Sequence, residues 1–375
     1  MNEETSLKHF SDARRMVVKV GTNVLTSGNG EMNESYVRLF CEQIASLREK
    51  GIQVILVSSG AVGLGMGKLG LEKRPKAIEK LQACAAVGQS ILTQTWQKYF
   101  EPFGIVVGQI LLTRDDVHGR RRHLAIMHTI ETLLGEGVVP IINENDSVSA
   151  EELEIKFGDN DILSALVASI TKSQVLSILT TVPGLLDLDD GGRLIPVVEN
   201  ITPEIEALAK GTSSETSIGG MTSKIEAAKV ATRSECGVFL GAGDAPHILT
   251  DLFKGSAEGT YFIPSDIPLE SRKRWLAFFA KPQGRIMVDE GAATALVEEG
   301  CSLLALGIHS CESDFPTDSL IEVVDQNHNL IARGLVRFSS EELQTILGKS
   351  KEDIEQSFPQ RSKWDVIHRD DLVLV

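Results

Sequence analysis

The sequence lacks long apolar runs, and its cysteines lack the spacing of a metal or disulfide motif. Its apolar stretches, such as residues 52–57 and 138–142, are far shorter than the roughly 18 residues that a membrane-spanning helix needs. The five cysteines are scattered, odd in number and never arranged as C-x-x-C, which argues against a disulfide framework and a zinc site. Because the first residues show no secretory signal pattern, a cytoplasmic protein with reduced thiols is expected.

Basic charge and the common catalytic motifs are also scarce. The 375 residues include 37 Lys and Arg against 52 Asp and Glu, a net charge of −15, so a nucleic-acid or membrane-surface partner is not expected. The Walker A pattern G-x-x-x-x-G-K-[ST] does not occur, the D-F-G motif that protein kinases require is not present, and no histidines are paired as H-x-x-x-H. A P-loop enzyme, a protein kinase and a histidine-ligated metal site are therefore not predicted.

What the sequence does contain is an alternation of short apolar runs with longer amphipathic stretches. Helices are predicted over residues 35–50 and about 75–100, and strands over residues 16–20, 52–57, 105–112, 138–143 and 175–180. Apolar strands separated by helices are typical of an α/β fold with a mostly parallel, helix-covered sheet. Such sheets bind ligands at the carboxyl ends of their strands.

The pattern changes after about Pro264. A stretch with a basic cluster is predicted to be a linker, and short strand-like runs follow it at residues 284–288, 320–324, 330–336 and 372–375. We therefore predict an α/β domain over residues 1–265, a linker over residues 266–276 and a second, smaller, mostly β domain over residues 277–375.

Three glycine-containing segments lie where predicted strands end or helices begin. Lys19 and Gly21 end the first strand, residues 58–63 join the second strand to a helix, and residues 218–224 precede another helix. Free backbone amides and the helix dipole favour anions at such positions. The lysines at these sites, Lys19 and Lys224, could equally be solvated surface residues, and both interpretations stay open on the pattern alone.

Two clusters of Asp and Asn, residues 143–147 and 158–161, lie near the end of a predicted strand and the start of a helix. Loops and helix caps would explain one or two such residues. Two dense clusters beside the ligand-binding edge favour a site that binds an ammonium group and holds lysines in place. Residues 65–70 match G-x-G-x-x-G by letter, but they do not directly follow the strand, so a nicotinamide dehydrogenase is not favoured.

In order along the chain, V-V-K-V-G-T, V-S-S-G-A-V, I-N-E-N-D-S-V, G-D-N-D and G-G-M-T-S-K resemble the glutamate 5-kinases of the amino acid kinase family. The resemblance runs from about Met16 to the C-terminus, and residues 288–304 are similar to the start of the family's PUA domain. It implies the amino acid kinase fold with a PUA-like second domain. It also implies phosphorylation of the γ-carboxylate of L-glutamate by ATP with Mg²⁺, the first step of proline biosynthesis. Proline as feedback inhibitor and a homo-oligomer, dimer or tetramer, are further implications.

The resemblance also assigns roles residue by residue. The catalytic residues would be Lys19, Lys224 and Asp161, with the lysines neutralising the phosphoryl group and the aspartate holding both of them. Glutamate would be bound by Ser59, Gly60, Asn143, Asp146, Asp159 and Asn160. ATP would be bound by Lys19, Gly21, Thr22, Thr180, Thr181, Ile218, Gly219, Gly220, Met221, Thr222, Ser223 and Lys224. This chain departs from the family at Thr181, where Asp is common, and at Ile218, where Thr is common. Both departures concern the binding of the nucleotide rather than the reaction.

The chemistry agrees with these residue types. A carboxylate with a reference pKa near 4.3 is already a nucleophile at neutral pH, so the reaction needs no general base. Its obstacle is repulsion between two anions, which lysines and backbone amides reduce. Two alternatives remain: a related kinase acting on aspartate or acetylglutamate, and RNA binding by the second domain. The second is disfavoured because residues 276–375 contain 9 Lys and Arg against 17 Asp and Glu.

Overall fold

The computed structural model describes residues 8–27, 30–118, 120–148, 160–210, 220–265, 269, 271–280, 282–361 and 363–374. The chain divides into two compact units. The first comprises Met1–Val117 and Arg121–Pro268, and the second comprises His118–Arg120 and Leu269–Val375.

The first unit is built on a large sheet. Its strands are β1 (Arg15–Val20), β2 (Gln53–Ser58), β3 (Val107–Leu112), β4 (Val139–Glu144), β5 (Val175–Thr180), β8 (Val197–Val198), β9 (Gly237–Ala242) and β10 (Thr260–Phe262). They are ordered β3-β4-β2-β1-β5-β9-β10-β8, and a separate pair is formed by β6 (Leu186–Asp187) and β7 (Arg193–Leu194). All neighbours in the large sheet are parallel except β9 and β10.

Helices connect these strands. They are α1 (Thr22–Leu25), α2 (Glu34–Glu49), α3 (Ala61–Lys68), α4 (Ile78–Phe100), α5 (Arg114–His118), α6 (Arg120–Gly135), α7 (Asn160–Ile170), α8 (Pro203–Lys210), α9 (Met221–Thr232) and α10 (Ile248–Lys254), with a 3₁₀ turn at Glu101–Phe103. The helices bury the sheet on both faces, which is why β1, β2 and β5 read as continuous apolar runs. The predicted mostly parallel, helix-covered sheet is therefore confirmed.

The glycines of α3 allow a close helix pair. A Cβ added at Gly65 would lie 1.8 Å from the carbonyl oxygen of Cys84, and one at Gly88 would lie 1.7 Å from that of Ala61. Helices α3 and α4 therefore pack backbone to backbone, which any larger side chain would prevent. The letters G-x-G-x-x-G thus lie within and just after a packed helix, in agreement with the rejection of a dinucleotide site.

The second unit has a five-stranded sheet of β11 (Gly284–Val288), β12 (Ile308–Glu312), β13 (Leu320–Val324), β14 (Leu330–Leu335) and β15 (Leu372–Leu374), in the order β12-β11-β13-β14-β15. Its helices are α11 (Ser271–Arg274), α12 (Glu290–Glu298), α13 (Ser340–Ile346) and α14 (Lys351–Ser357), with a π-helix at Trp275–Phe279 and 3₁₀ turns at Ala305–Gly307 and Arg369–Asp371. Only β11 and β13 are parallel neighbours. The predicted smaller, mostly β unit is confirmed.

Part of the segment predicted as a linker, residues 266–276, is packed. The structure describes residues 269 and 271–276 of it, and these include α11 and the start of the π-helix. Leu276 is fully buried and belongs to an apolar cluster with Leu320 and Val373. The apolar residues directly after the basic cluster pack onto the second sheet.

Candidate functional site

The carboxyl ends of the central strands lie side by side at one edge of the first sheet. The backbone N–H of Gly21, just beyond β1, donates to the carbonyl of Leu179 in β5 at 3.0 Å. The N–H of Ser59, just beyond β2, donates to the carbonyl of Val20 at 3.3 Å. Consecutive strand ends are thereby joined, and the loops leaving them form one continuous surface, as expected of a parallel sheet.

The side chain of Lys19, near the end of β1, forms an ion pair with the buried carboxylate of Asp161. Its neighbours Val18 and Val20 pack into the main apolar core, so the alternation of the strand directs Lys19 to the opposite face. There Asp161, in the first turn of α7, accepts from Lys19 Nζ at 2.5 Å through Oδ1 and from Lys224 Nζ at 3.0 Å through Oδ2. The side chains of Lys19, Asp161 and Lys224 are only 4%, 0% and 7% exposed.

This arrangement places two buried ammonium groups around one carboxylate. Burial strengthens their electrostatic influence on anything that binds beside them, because little water screens the charges. Two ammonium groups at the carboxyl edge of the sheet favour the binding of an anion beside them. The sequence predicted these three residues, and the structure brings them together from β1, α7 and α9.

A chain of amides continues from this cluster. Asn160, next to Asp161, donates from Nδ2 to Ser59 Oγ at 2.7 Å and to Asn143 Oδ1 at 2.9 Å. Asn143 in turn donates from Nδ2 to Gln89 Oε1 at 2.8 Å. The ends of β2 and β4 and the start of α7 are thus joined by side chains. Three of the predicted acceptor-site residues, Ser59, Asn143 and Asn160, meet in this network.

Gly60 has a φ of 104°, a left-handed conformation that glycine adopts without strain. Gly60 precedes the first residue of α3, so the chain turns sharply between Ser59 and the helix. A Cβ at Gly60 would also approach Thr26 Cγ2 at 3.3 Å. The glycine lets the loop after β2 turn back close to the loop after β1.

Helix α9 begins beside Lys224 with uncapped backbone amides. Gly220 precedes it in an extended conformation, and no side chain caps the helix. Ser223 Oγ donates to the carbonyl of Gly220 at 2.9 Å and to Asp161 Oδ2 at 3.3 Å. Met221 is buried and Thr222 is exposed. A helix N-terminus next to two lysines is a favourable environment for phosphate oxygens.

Four more of the residues predicted to bind ATP lie along the same edge: Gly21, Thr22, Thr180 and Thr181. Gly21 precedes α1, and a Cβ there would lie 3.3 Å from the carbonyl oxygen of Leu179 and 3.9 Å from Lys19 Nζ. Thr22 is exposed at the start of α1. Thr180 ends β5, its carbonyl accepts from the N–H of Gly243 at 2.7 Å, and Thr181 follows it exposed. Asp159, Ile218 and Gly219 lie outside the described residues, so the structure gives no account of these three predictions.

A cavity of about 420 Å³ lies at the Gln89 end of the amide network. Asp146, half-buried in the loop after β4, is part of its wall. The cavity is lined by Ala85, Ala86, Gln89, Ser90, Thr93, Gln94, Gln109, Leu111, Glu144, Asn145, Asp146 and Ser147. Gln89 accepts from Asn143 and lines this cavity, but it was not among the residues predicted from the sequence. It lies in the middle of α4, where helical periodicity marks a buried face but gives no hint of a polar role.

Neither a metal-ligand cluster nor a membrane-spanning helix is found in the described part of the chain. Within it, no group of three or more His, Cys, Asp or Glu side chains is arranged to hold a metal ion. Across the same residues, no helix combines the length and the apolar character needed to cross a bilayer.

Comparisons with known proteins agree with the sequence motifs. Residues 14–241 match the model of the amino acid kinase family, and residues 284–358 match that of the PUA domain. Curated proteins named glutamate 5-kinase are similar over almost their whole length. The one from Thermoanaerobacter sp. (strain X514) is 42% identical over 96% of this chain and 98% of its own. That from Geobacter sulfurreducens is 42% identical over 98% and 99%, and that from Moorella thermoacetica is 40% identical over the full length of both.

Among solved structures, carbamate kinase from Giardia lamblia bound to AMP-PNP covers 68% of this chain with 16% identity and a TM-score of 0.48. The family assignment rests instead on the family models and on relatives that are at least 40% identical and collinear with this chain. The chain belongs to the amino acid kinase family and, within it, to the glutamate 5-kinases that carry a C-terminal PUA domain.

Proposed function

We propose that this protein transfers the γ-phosphoryl group of ATP to the γ-carboxylate of L-glutamate and so performs the first step of proline biosynthesis. The observation that supports this most is the pair of buried lysines, Lys19 and Lys224, held by Asp161 at the ligand-binding edge of the sheet. The product is an acyl phosphate. Its formation requires charge neutralisation and positioning, and the acceptor carboxylate needs no base to ionise it.

In this proposal the two lysines contact the transferring phosphoryl group from β1 and α9. Asp161 touches both ammonium groups and fixes their separation, so it acts by positioning them. Because these side chains are already in place before substrate binds, little reorganisation is needed as charge develops on the phosphoryl oxygens.

The acceptor would lie on the amide side of the cluster. Ser59, Asn143 and Asn160 offer hydroxyl and amide groups, and Asp146 offers a negative charge for an ammonium group. Gly60 and Asp159 complete the proposed set. Glutamate would then lie with its γ-carboxylate toward the lysines and its α-carbon toward the cavity.

ATP would lie on the other side, with its phosphates at the start of α9 and along the loop after β1. Its proposed contacts are Lys19, Gly21, Thr22, Thr180, Thr181, Ile218, Gly219, Gly220, Met221, Thr222, Ser223 and Lys224. We also propose Mg²⁺ as cofactor. Since the described residues contain no metal-binding cluster, the ion would be held mainly by the triphosphate oxygens and water, where it supplies further positive charge.

Hydroxylamine trapping tests the proposal. The protein is incubated with ATP, Mg²⁺ and hydroxylamine, and hydroxamate is measured with L-glutamate, L-aspartate or N-acetyl-L-glutamate as acceptor. Hydroxamate with glutamate alone is expected. Signal only with aspartate or N-acetylglutamate would replace the acceptor while keeping the phosphoryl-transfer chemistry. No signal from folded protein with any acid would refute the proposal.

The remaining properties follow from the family resemblance. We propose that residues 1–265 form the kinase domain and 277–375 the PUA-like domain, and that the protein is a cytoplasmic homo-oligomer, dimer or tetramer, inhibited by proline. A proline titration of the hydroxamate assay and the mass in solution by light scattering test the last two. RNA binding is not proposed, because residues 276–375 carry an excess of acidic groups.

A further inference from the structure

Gln89 carries a buried hydrogen-bond donor that the fold itself does not use. The residue is 8% exposed in the middle of α4, and its Oε1 accepts from Asn143 Nδ2 at 2.8 Å. Within the described part of the chain, its Nε2 has no hydrogen-bond partner, although the atom is shielded from solvent. Buried donors are nearly always paired in native proteins, so this one calls for a partner that the chain does not supply.

The network fixes which way the amide of Gln89 points. Asn160 Nδ2 donates to Asn143 Oδ1, so the Nδ2 of Asn143 must face Gln89. Gln89 must then present Oε1 to Asn143, since the reverse orientation would oppose two donors. One end of the amide chain is therefore an unused donor, Gln89 Nε2. The other end is Asn160 Oδ1, an acceptor that likewise has no partner within the described residues.

Gln89 also lines the cavity of about 420 Å³ whose wall includes Asp146. The side chains of α4 and β3 around it that can hydrogen bond are neutral hydroxyls and amides: Ser90, Thr93, Gln94 and Gln109. A ligand there meets an amide donor that suits a carboxylate. It also meets the carboxylates of Glu144 and Asp146, which suit an ammonium group. These are the two groups attached to the α-carbon of an amino acid.

We propose that Gln89 Nε2 donates a hydrogen bond to the α-carboxylate of the amino-acid acceptor and makes Gln89 a specificity-determining residue. The inference rests on the proposed function, because it assumes that the γ-carboxylate occupies the lysine side of the network. The only carboxylate left for the Gln89 end is then the α-carboxylate. Binding pairs the buried donor and lowers the free energy of the complex relative to acceptors that lack this group.

The substitution Gln89→Glu separates the two roles of the side chain. Glutamate keeps the oxygen that accepts from Asn143 Nδ2, so the amide network stays intact. It replaces the donor with an anionic oxygen that repels a carboxylate. In the hydroxamate assay we expect the KM for L-glutamate to rise about tenfold or more, since a hydrogen bond to a charged group is lost, while the KM for ATP stays within about twofold.

A comparison of L-glutamate with L-isoglutamine tests whether Gln89 contacts the α-carboxylate. L-isoglutamine keeps the γ-carboxylate and the ammonium group but has an amide in place of the α-carboxylate. The amide can donate to the new carboxylate, so Gln89→Glu should lower the preference for L-glutamate over L-isoglutamine, measured as the ratio of kcat/KM values, by about tenfold or more. An unchanged ratio would mean that Gln89 does not contact the α-carboxylate.

Gln82→Glu is the matched control, because Gln82 lies on the same helix but is not part of the cavity wall. It adds the same charge and should leave the KM for L-glutamate within about twofold of wild type. A wild-type KM in Gln89→Glu would overturn the inference, because Gln89 would then serve only to accept from Asn143. An equal rise in both variants would also overturn it, because the effect would be general repulsion.

Two further outcomes are distinguishable. If thermal unfolding shows that Gln89→Glu does not fold, Gln89→Met, of similar volume and without polar hydrogens, is tested in the same way. A reduced preference for L-glutamate over L-isoglutamine in this variant supports the inference, and an unchanged preference contradicts it, because loss of the contact with Asn143 alone would affect both substrates alike. If the wild-type protein itself forms no hydroxamate with L-glutamate, the proposed function fails, and the assignment of Gln89 fails with it.

Discussion

Neutralising Asp161 is the sharpest test of the charge cluster at the sheet edge. Its two carboxylate oxygens each serve one ammonium group, Oδ1 for Lys19 and Oδ2 for Lys224. The substitution Asp161→Asn keeps the shape of the side chain, but it offers one oxygen in place of two. One lysine must then face an N–H donor, and both positive charges lose the carboxylate that compensates them.

The loss of stability expected for Asp161→Asn is large because Asp161 and both lysines are buried. Asp161 is fully buried, and the two lysines are 4% and 7% exposed, so water cannot replace the lost partner. Removing one member of a buried ion pair costs about 3–5 kcal/mol. For a unit of this size, 1 kcal/mol shifts the melting temperature by about 2–4 °C, so the first unit should melt about 6–20 °C lower. We also expect kcat to fall, because the lysines lose their positions.

The melting of the first unit can be followed separately. Trp96 belongs to the first unit, where its Nε1 donates to Ser58 Oγ at 3.0 Å, and the other two tryptophans belong to the second. In a background with Trp275→Phe and Trp364→Phe, tryptophan fluorescence reports the unit that contains Asp161. Thermal and urea unfolding of this background with and without Asp161→Asn give the difference.

A second variant tests the cause of the loss. Adding Lys224→Met to Asp161→Asn removes one of the two uncompensated charges, so the double variant should be more stable than Asp161→Asn alone. The expected coupling is about 0.5–3 kcal/mol. Stability of Asp161→Asn within about 1 kcal/mol of the parent would refute the reasoning, since it would mean that the lysines find compensation elsewhere.

Three further predictions concern the sheet edge, the α3–α4 contact and the half-buried imidazole of His123. Lys19→Ala and Lys224→Ala should each lower kcat about 10²–10³-fold in the hydroxamate assay, and wild-type kcat in both would contradict their roles. Gly65→Ala should destabilise the protein by about 1–3 kcal/mol or more, because the new Cβ would lie 1.8 Å from a backbone oxygen. Gly63→Ala, with nothing within 4 Å, is its control in the same thermal melts and should be neutral or slightly stabilising. Burial lowers the pKa of His123 below its usual 6.5, so the unfolded chain takes up this proton first as the pH falls. Stability should therefore drop below about pH 6.5, and His123→Gln should reduce the difference between urea melts at pH 5 and pH 7.5; an equal difference in both proteins would contradict this.

The strands could be predicted from the sequence because they are buried on both faces. The five strands predicted in the first domain correspond to β1 to β5, with ends that differ by at most two residues. Strand β9, Gly237–Ala242, was not predicted, although it is as buried as its neighbour β5. Its sequence, GVFLGA, has a glycine at each end of a short apolar core. The strand propensity of these residues alone therefore does not predict β9, which is stabilised by its pairing with β5.

The site was predictable where function places unusual residues at strand ends. Lys19, Asn143 and the start of α7 stand out because charged and amide groups there interrupt otherwise apolar patterns. Gln89 gives no such signal, since a polar residue in a long amphipathic helix is ordinary. Its role depends on the rotation of α4 against β4, which brings it to Asn143, 54 positions later in the chain. That rotation is fixed by Gly65 and Gly88, through which α3 and α4 touch.

The packing of small residues and the polarity of the site are therefore linked. Because α4 contacts α3 through backbone atoms, the position of α4 is fixed more tightly than interlocking side chains would allow. A close contact at Gly88 places the next residue, Gln89, against the end of β4. There the Oε1 of Gln89 accepts a hydrogen bond from Asn143 Nδ2. The unused donor is then a consequence of the fold, and its cost in stability is recovered only when a ligand supplies an acceptor. A helix held in this way can maintain an unpaired donor, and that donor can then discriminate between acceptors.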